Sequence, residues 1–302
     1  MMRTDEGRWL AERFEEHRAR LRAVAYRMLG SLSDADDAVQ DAWVRFSRSG
    51  ADGVDNLAGF LTTIVARVCL NTLRARGARP EDPVGVHVPD PVVSREDCAD
   101  PETEALLADS VGMALIVVLD TLAPAERVAF VLHDMFDIPF GEIGPMVGRS
   151  AVAARQLASR ARRQVRGAGV RAPDTGLAAQ RALVDAFFAA ARGGDFDALV
   201  AVLDPGVVLR IDAGTRHPSA SMVISGAGEV ASQALTGFST ALRVAQLRPA
   251  LVNGAAGVIV TVRGRPFAVM GFIVADGKIA EIDAIADPAR IGKITAAVRT
   301  GN

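Results

Sequence analysis

The sequence is poor in cysteine and has no long uncharged run, and each absence excludes a class of protein. Its 302 residues include two cysteines, Cys69 and Cys98, and neither lies in a CxxC pair. Two thiols cannot supply a four-ligand zinc site, so we exclude zinc and disulfide scaffolds and expect a reducing compartment. No apolar run approaches the roughly 18 uncharged residues of a membrane helix, and the N-terminal residues are charged, unlike a signal peptide. We therefore predict a cytoplasmic protein without a membrane partner.

The composition is that of a folded chain whose charge is unevenly distributed. Half of the residues are hydrophobic and 23% are charged, which excludes wholesale disorder and leaves room for two or three domains. The net charge of −2 hides two opposite segments. Residues 149–166 contain six arginines and no acid, whereas residues 81–109 contain nine acids and one arginine, Arg95. A basic helix and an acidic linker are therefore expected in one chain.

Hydrophobic periodicity and the positions of glycine, proline and other turn-forming residues divide the chain into four segments. Residues 8–77 read as three helices, of which the second begins at Ser33 with a capping-box partner at Asp36. Residues 78–103 are rich in proline and acid and are predicted to be an extended linker. Residues 104–167 are helical again, and residues 177–302 begin with helices and continue as strands. The order of helices and strands in this last segment favours an α+β domain over βαβ units.

The segment FGEIGPMVGRSAVAARQLASRARRQVR has the pattern of a helix-turn-helix. A short helix, a turn at Gly148 and a second helix capped by Ser150 follow one another, and such a second helix enters the major groove of DNA. Its apolar positions share one face, and the other face carries arginines without any acid. Arginine suits this face because its planar group can bind guanine or clamp a phosphate. The candidate DNA-binding residues are Arg149, Ser150, Arg155, Gln156, Ser159, Arg162 and Arg163.

The third helix of the first domain carries a second basic face. Arg67, Asn71 and Arg74 recur at helical spacing away from the apolar stripe, and Arg76 and Arg79 extend the basic end. On this pattern alone, nucleic-acid contact and a merely solvated face remain equally open.

These segments, in this order, resemble an extracytoplasmic-function (ECF) sigma factor. The resemblance covers about residues 10 to 167, from FEEHRARLRAVAYRMLGSLSDADDAVQDAWVRF through NLAGFLTTIVARVCLNTLR to the helix-turn-helix. The remainder resembles a SnoaL-like domain of the NTF2-like fold. The resemblance implies two all-α sigma domains, a sigma-2 helical bundle and a sigma-4 helix-turn-helix, followed by a C-terminal α+β NTF2-like cone.

The resemblance also implies partners and roles. The chain would bind core RNA polymerase at the β′ clamp helices and the β flap, and would direct it to promoter DNA. Asp37, Gln40, Asp41 and Trp43 would contact the polymerase, Arg67, Asn71 and Arg74 would read the minus-ten element, and the helix-turn-helix would read the minus-35 element. It implies no cofactor, no metal and no catalysis. A monomer that needs no separate anti-sigma protein is expected, because a fused domain could regulate activity in cis.

Three short motifs of the SnoaL-fused subfamily survive in altered form and imply the regulatory contact. The linker motif reads His87-Val88-Pro89-Asp90-Pro91, and two later motifs begin at Asp212 and Asp287. The implied contact residues are Pro89, Asp90, Pro91, Asp212, Arg216, Asp287 and Arg290.

One alternative stays open. The chain could be a helix-turn-helix regulator whose C-terminal domain is a ligand sensor or an enzyme, with Asp212 near Arg210, Arg216 and His217 as an acid/base site. Fold analogy alone does not make an enzyme, so we favour a regulatory domain.

Overall fold

The computed structural model describes residues 2–50, 54–77, 86–96, 113–168, 174, 176–214, 216–240 and 244–299. The chain forms two compact units. The first, here the helical unit, comprises Met1–Glu81 and Leu115–Val170. The second, here the cone unit, comprises Asp82–Ala114 and Arg171–Asn302. Residues 86–96, the described part of the acidic linker predicted at residues 78–103, therefore belong to the cone unit.

Three helices open the helical unit, as the sequence predicts: α1 Met2–Leu29, α2 Leu32–Ser49 and α3 Leu57–Gly77. The predicted start of α2 is wrong by two residues. Gly30 adopts a φ of +69° directly after α1, so the chain reverses there and Ser31 becomes the N-cap. The Ser31 hydroxyl accepts a hydrogen bond from the backbone N–H of Asp34 at 3.3 Å, and this bond replaces the expected Ser33–Asp36 capping box.

Helix α3 is the most apolar helix of the bundle. By length and composition it could cross a membrane, with a mean hydropathy of 1.2 over its best window. In the structure Leu61, Val65, Val68 and Cys69 are buried against α1 and α2, whose Phe14 and Phe46 are buried as well. The helix is therefore the core helix of a bundle.

The second part of the helical unit contains α4 Met113–Asp120, α5 Pro124–Phe130, α6 Phe140–Val147 and α7 Ala151–Gly167. Pro124 occupies the first turn of α5, as its missing N–H allows. A π-helical turn, Val131–Met135, continues α5 and was not predicted. The earlier part of the helix expected at residues 104–122 lies outside the described residues.

The cone unit is an α+β domain, which confirms the predicted fold class. Its elements follow one another as β1 Val93–Ser94, α8 Leu177–Gly193, α9 Phe196–Val202, β2 Leu203–Asp212, β3 Met222–Ser225, α10 Ala227–Thr240, β4 Gln246–Val252, β5 Ala255–Val262, β6 Arg265–Ala275, β7 Lys278–Ile285, α11 Pro288–Ile294 and α12 Ala296–Arg299. The strands form one sheet in the order β1-β4-β5-β6-β7-β2-β3, antiparallel except for the β2–β7 pair. Strands β1 and β3 and helices α11 and α12 were not predicted.

The core of the cone lies between helices and the inner face of the sheet. Phe187 and Phe188 of α8 contact Phe272 of β6 edge to face, with ring centroids 5.9 and 5.8 Å apart. Val230 and Ala231 of α10 are fully buried in the same cluster. Strands β2 and β7 are interior strands of this sheet, each paired on both sides.

Candidate nucleic-acid surfaces and the linker contact

The helix-turn-helix forms at the predicted place. Gly148 ends α6 with a φ of +71°, a left-handed conformation that favours glycine. Gly144, inside α6, packs closely against the turn. A Cβ at Gly144 would lie 2.8 Å from the carbonyl oxygen of Arg149, so only glycine lets the turn approach the helix this closely. The Ser150 hydroxyl accepts a hydrogen bond from the N–H of Ala153 at 3.2 Å, which confirms the predicted cap of α7.

Helix α7 divides into the two predicted faces. Ala154, Ala158 and Ala161 are fully buried. The residues predicted to contact DNA lie on the outer side: Arg149, Ser150, Arg155, Gln156 and Arg163 are exposed, and Ser159 and Arg162 are half-buried. From Arg155 to Arg166 the outer side of the helix carries arginines and no acid of its own.

Several of these arginines already have partners in the helical unit. The Arg162 Nε donates to Asp134 Oδ1 at 2.5 Å, and the Arg155 guanidinium lies 5.5 Å from the centre of the Phe140 ring. Arg160, on another side of α7, binds Glu126 at 2.8 Å. Sequence periodicity could not reveal these contacts, because each joins residues of different elements.

The predicted minus-ten residues lie on the surface of α3. Arg67, Asn71 and Arg74 are exposed, and they line one cleft with Gly148 and Arg149 of the helix-turn-helix. The helical unit therefore places one predicted minus-35 residue, Arg149, beside the three predicted minus-ten residues.

Arg76 has a structural role that its place in the basic pattern did not indicate. It donates to the Leu29 carbonyl at 3.0 Å and forms an ion pair with Asp34, so it ties α3 to the start of α2. Arg79 lies outside the described residues.

Only part of the acidic face of α2 forms ion pairs with the rest of the bundle. Asp36 forms an ion pair with Arg22 at 2.5 Å, whereas Asp37, Gln40 and Asp41 are exposed. Within the part of the chain that the structure describes, Asp37 and Asp41 form no ion pair. Trp43 is half-buried, and its ring centroid lies 5.2 Å from that of Phe14.

The cone unit brings together three of the predicted contact residues that are far apart in sequence. Arg290 of α11 donates from Nε to Asp90 Oδ1 at 2.6 Å and from Nη1 to Asp212 Oδ2 at 2.5 Å. Its third nitrogen donates to the Val88 carbonyl. We call Asp90, Asp212, Arg290 and the backbone of Val88 the linker clamp.

Asp212 is the centre of the linker clamp. It is 3% exposed and accepts hydrogen bonds from the backbone N–H groups of Val88 and Gly214, both at 2.9 Å. Burial alone would raise the pKa of this carboxyl, but the hydrogen bonds from His87, Val88 and Gly214 and the charge of Arg290 hold the pKa well below its usual range. The lowered pKa favours the carboxylate form of Asp212, which binds the linker through the Val88 N–H.

Further contacts hold the linker along the cone. Val93 and Ser94 pair with Val252 and Leu251 as the outermost strand of the sheet. The N–H of Val92 donates to the Asn253 side chain at 2.7 Å, and the Asn253 N–H donates back to the Val92 carbonyl at 2.8 Å. Glu96 forms an ion pair with Arg181 of α8. Residues 86–96 are thus extended and are part of the cone structure.

The remaining predicted contact residues take different positions. Pro89 and Pro91 are buried. Asp287 is the N-cap of α11 and accepts from the N–H of Ala289 at 2.9 Å, so it supports the helix that carries Arg290. Arg216 is exposed, and among the described residues it makes no contact with the linker clamp.

The residues of the alternative acid/base site have other partners or are exposed. Arg210 forms ion pairs with Glu281 at 2.6 Å and with Asp283 at 3.1 Å. Asp212 is occupied by the linker, and His217 is exposed. Burial raises the pKa of Asp283 to about 6 against the opposing charge of Arg210, and this buried pair was not singled out from the sequence.

The fold combines a helical unit that contains a helix-turn-helix with an α+β cone, which is the organisation of a transcription factor. Comparisons with known proteins identify its family. Residues 13–79 match the family model of sigma-70 region 2, and residues 112–165 match that of sigma-70 region 4. The chain is 35% identical over 288 residues to the probable ECF RNA polymerase sigma factor SigI of Mycobacterium tuberculosis, covering 94% of this chain and 96% of that protein.

A second relative has a solved structure. The ECF RNA polymerase sigma factor SigJ of Mycobacterium tuberculosis is 39% identical over 217 residues, 72% of this chain and 69% of SigJ. A crystal structure of SigJ superposes with a TM-score of 0.73 and covers 93% of this chain and 97% of that chain. This chain belongs to the ECF RNA polymerase sigma factors.

Proposed function

We propose that the chain binds core RNA polymerase and places it on promoters through two basic surfaces of the helical unit. The exposed face of α7 would read the minus-35 element, and Arg67, Asn71 and Arg74 of α3 would read the minus-ten element. The observation that carries this proposal is the exposed face of α7, the second helix of the helix-turn-helix. This face carries arginines and no acid of its own, and the N-terminus of the helix is capped by Ser150. A helix of this kind docks in the major groove, where arginine can bind guanine at two atoms.

We further propose that the exposed acids of α2 contact the β′ clamp helices and that region 4 contacts the β flap. Asp37, Gln40 and Asp41 lie together on one exposed side of α2, next to the half-buried Trp43. An acidic patch of this kind is suited to a basic protein surface, because opposite potentials speed association and fix its orientation. We expect the protein to act in the cytoplasm as a monomer.

The cone is proposed to regulate the sigma domains in cis by binding the linker. In a sigma factor bound to polymerase, an acidic linker could thread into the channels of the core enzyme, but the linker clamp and the β1–β4 pairing engage the same residues. Both states cannot be occupied at once, so a cone that binds the linker competes with polymerase. Because the competitor is part of the same chain, its effective concentration reaches the millimolar range for a short tether, and no separate anti-sigma protein is required.

Replacing Arg290 tests this regulation. Arg290→Ala removes the hydrogen bonds to Asp90, Asp212 and Val88, and it leaves Asp212 buried without its cation. Loss of one partner of a buried ion pair costs about 3 to 5 kcal/mol, so the linker should be released. We expect transcription by reconstituted polymerase from a cognate promoter to rise several-fold.

Arg216→Ala is the matched control, because it removes the same charge from an exposed position outside the linker clamp. It should transcribe like the unsubstituted protein. Equal transcription by all three proteins would show that the linker clamp does not regulate, while leaving the sigma-factor function itself untouched.

A further inference from the structure

The helical unit contains a cleft whose wall is rich in arginine. The cleft measures about 360 Å³, which falls within the roughly 300 to 1,000 Å³ of small-molecule pockets. Four arginines line it: Arg45 of α2, Arg67 and Arg74 of α3, and Arg149 in the turn of the helix-turn-helix. We call these four the cleft arginines. Among the described residues, no acidic side chain lines the cleft, so it concentrates positive charge.

The charges of the cleft arginines are not compensated by carboxylates. All four are exposed, and in the part of the chain that the structure describes none of them forms an ion pair. The guanidinium group of Arg149 donates to a neutral partner, the Gly148 carbonyl, at 3.3 Å. By contrast, Arg76 on the same helix as two of them is paired with Asp34. Like charges that are held close together repel one another, and a bound anion would remove this repulsion.

The other lining residues suit a compact ligand with several phosphate groups. Asn71 provides a side-chain amide that can donate to a phosphate oxygen, and the buried side chains of Leu70, Met146 and Val147 complete the wall. The planar group of arginine binds phosphate through two parallel hydrogen bonds. A singly charged anion would leave most of the four positive charges uncompensated. An anion with three or more charges therefore fits the cleft better than a lone phosphate.

Promoter recognition does not explain why these residues share one cleft. Arg67 and Arg74 belong to region 2 and are proposed to read the minus-ten element, whereas Arg149 belongs to region 4 and is assigned to the minus-35 element. The two elements are separate stretches of promoter DNA, so the two regions bind different parts of it. No promoter contact is assigned to Arg45, the fourth cleft arginine. The complete cleft is therefore a feature of the helical unit before it engages a promoter.

We propose that this cleft binds a small molecule with several phosphate groups, either a nucleoside polyphosphate or a short inorganic polyphosphate, and that the anion bridges regions 2 and 4. Because the cleft needs both regions, the anion binds the closed helical unit better than an open one and shifts the population towards the closed form. The consequence for transcription rests on the proposed function: a chain held closed would engage promoters less. Binding of the anion does not depend on that function.

Binding is tested on the full chain with inorganic tripolyphosphate and guanosine triphosphate as probes, in a magnesium-free buffer at fixed salt concentration. Titration calorimetry should show saturable binding of tripolyphosphate, and orthophosphate should bind at least about tenfold more weakly because it carries fewer charges. Guanosine triphosphate should compete for the same site, and its affinity relative to tripolyphosphate shows whether the nucleoside is also bound. Absence of saturable binding of both probes overturns the proposal, even if the chain transcribes normally with core polymerase.

Two variants, one in each region, place the anion. Arg45→Gln in region 2 and Arg149→Gln in region 4 should each weaken tripolyphosphate binding about tenfold, the equivalent of one lost hydrogen bond to a charged group. Arg48→Gln is the matched control, because it makes the same change at an exposed position of α2 outside the cleft, and it should bind like the unsubstituted chain. Unchanged affinity in Arg45→Gln would put the anion elsewhere. A loss in Arg45→Gln without a loss in Arg149→Gln overturns the bridge between the regions.

The phosphate backbone of DNA is the competing occupant of the cleft. A short duplex of unrelated sequence, titrated at the same salt concentration, measures its binding. We expect the affinity for this duplex to depend much less on Arg45 than the affinity for tripolyphosphate does. If Arg45→Gln and Arg149→Gln weaken the duplex as much as they weaken tripolyphosphate, the cleft binds nucleic acid and the proposal of a small-anion site is wrong.

Discussion

Two buried carboxyl groups of the cone unit, those of Asp212 and Asp283, have pKa values shifted in opposite directions. Asp212 is held as an anion by two backbone N–H groups and Arg290. Asp283 is also almost fully buried, but it has Arg210 as a partner at 3.1 Å and Glu281 as a repelling neighbour. The pKa of Asp212 is therefore lowered, whereas the pKa of Asp283 is raised to about 6. Burial raises the pKa of Asp283 despite the charge of Arg210, whereas at Asp212 the hydrogen bonds and Arg290 outweigh burial.

The raised pKa of Asp283 predicts a pH dependence of stability. The ordinary pKa of the group is 3.8, so between about pH 4 and pH 6 the unfolded chain loses the proton while the folded chain keeps it. The free energy of unfolding should fall across this window, by at most about 3 kcal/mol, and the loss should stay constant above it. Asp283→Asn removes the titrating carboxyl group and with it this pH-dependent loss of stability. Relative to the variant, the unsubstituted chain should therefore become less stable between pH 4 and pH 7.

Denaturant unfolding of the full chain at several pH values measures this difference. Asp185→Asn on the exposed side of α8 is the control, because it changes the same group without burial. A difference for Asp283→Asn that is the same at pH 4 and pH 7 would refute the raised pKa.

At the scale of elements, helix α7 carries the clearest prediction. Arg155 is exposed on the proposed recognition face, and Phe140 supports its guanidinium group. Arg155→Ala should lower affinity for the minus-35 element by about 1 to 3 kcal/mol if the arginine binds a base edge. Fluorescence anisotropy with a labelled promoter duplex, at a fixed salt concentration, measures the loss.

Arg160→Ala is the comparison on the same helix. Arg160 has the same charge but binds Glu126 of α5, so its removal should change affinity much less. If both variants bind the duplex equally, the assigned face of α7 is wrong.

The sequence predicts the long elements well because their own residues determine them. The helix-turn-helix, with Ser150 as its cap, and the four strands from β4 to β7 come from local periodicity and turn residues. The Asp276–Gly277 turn between β6 and β7 has positive φ at both residues, as a two-residue hairpin loop requires.

Elements that depend on distant partners could not be predicted in this way. Strand β1 has two residues, and it exists because Val93 and Ser94 pair with β4, far along the chain. Arg290 and Asp90 are 200 residues apart, and a family resemblance, not spacing, indicated their contact. The start of α2 was misplaced because Ser31 and Ser33 are both possible caps, and only the backbone of Gly30 decides between them.

At the scale of the whole molecule, the positions of the two proposed DNA-binding surfaces have a geometric consequence. Arg67, Asn71 and Arg74 share a cleft with Gly148 and Arg149 in the helical unit. The minus-ten and minus-35 elements are about 25 base pairs apart, which is roughly 85 Å at 3.4 Å per base pair. One closed helical unit cannot contact both, so we expect regions 2 and 4 to separate when the protein binds polymerase and promoter.

Binding to polymerase can be tested separately from DNA recognition. Reversing Asp37 and Asp41 to arginine should reduce co-purification with core RNA polymerase by tenfold or more, on the order of the several kcal/mol that like-charge contacts cost. Far-ultraviolet circular dichroism should be unchanged, because both residues are exposed on α2. Glu12→Arg, an equally exposed charge reversal on α1, should co-purify normally. Full co-purification of the double variant would remove α2 from the interface.

The two-residue pairing of β1 with β4 has a consequence for the free protein. Along β4, Arg248 is exposed and Pro249 lacks an N–H, so both discourage pairing with another strand, but Leu251 and Val252 have no such protection. The linker covers these two residues. In the proposed polymerase-bound state the linker leaves this edge, and the bare edge could pair with a second copy of the chain. The docked linker therefore also protects the sheet edge against aggregation. A chain whose linker is released should aggregate least when polymerase binds that linker immediately.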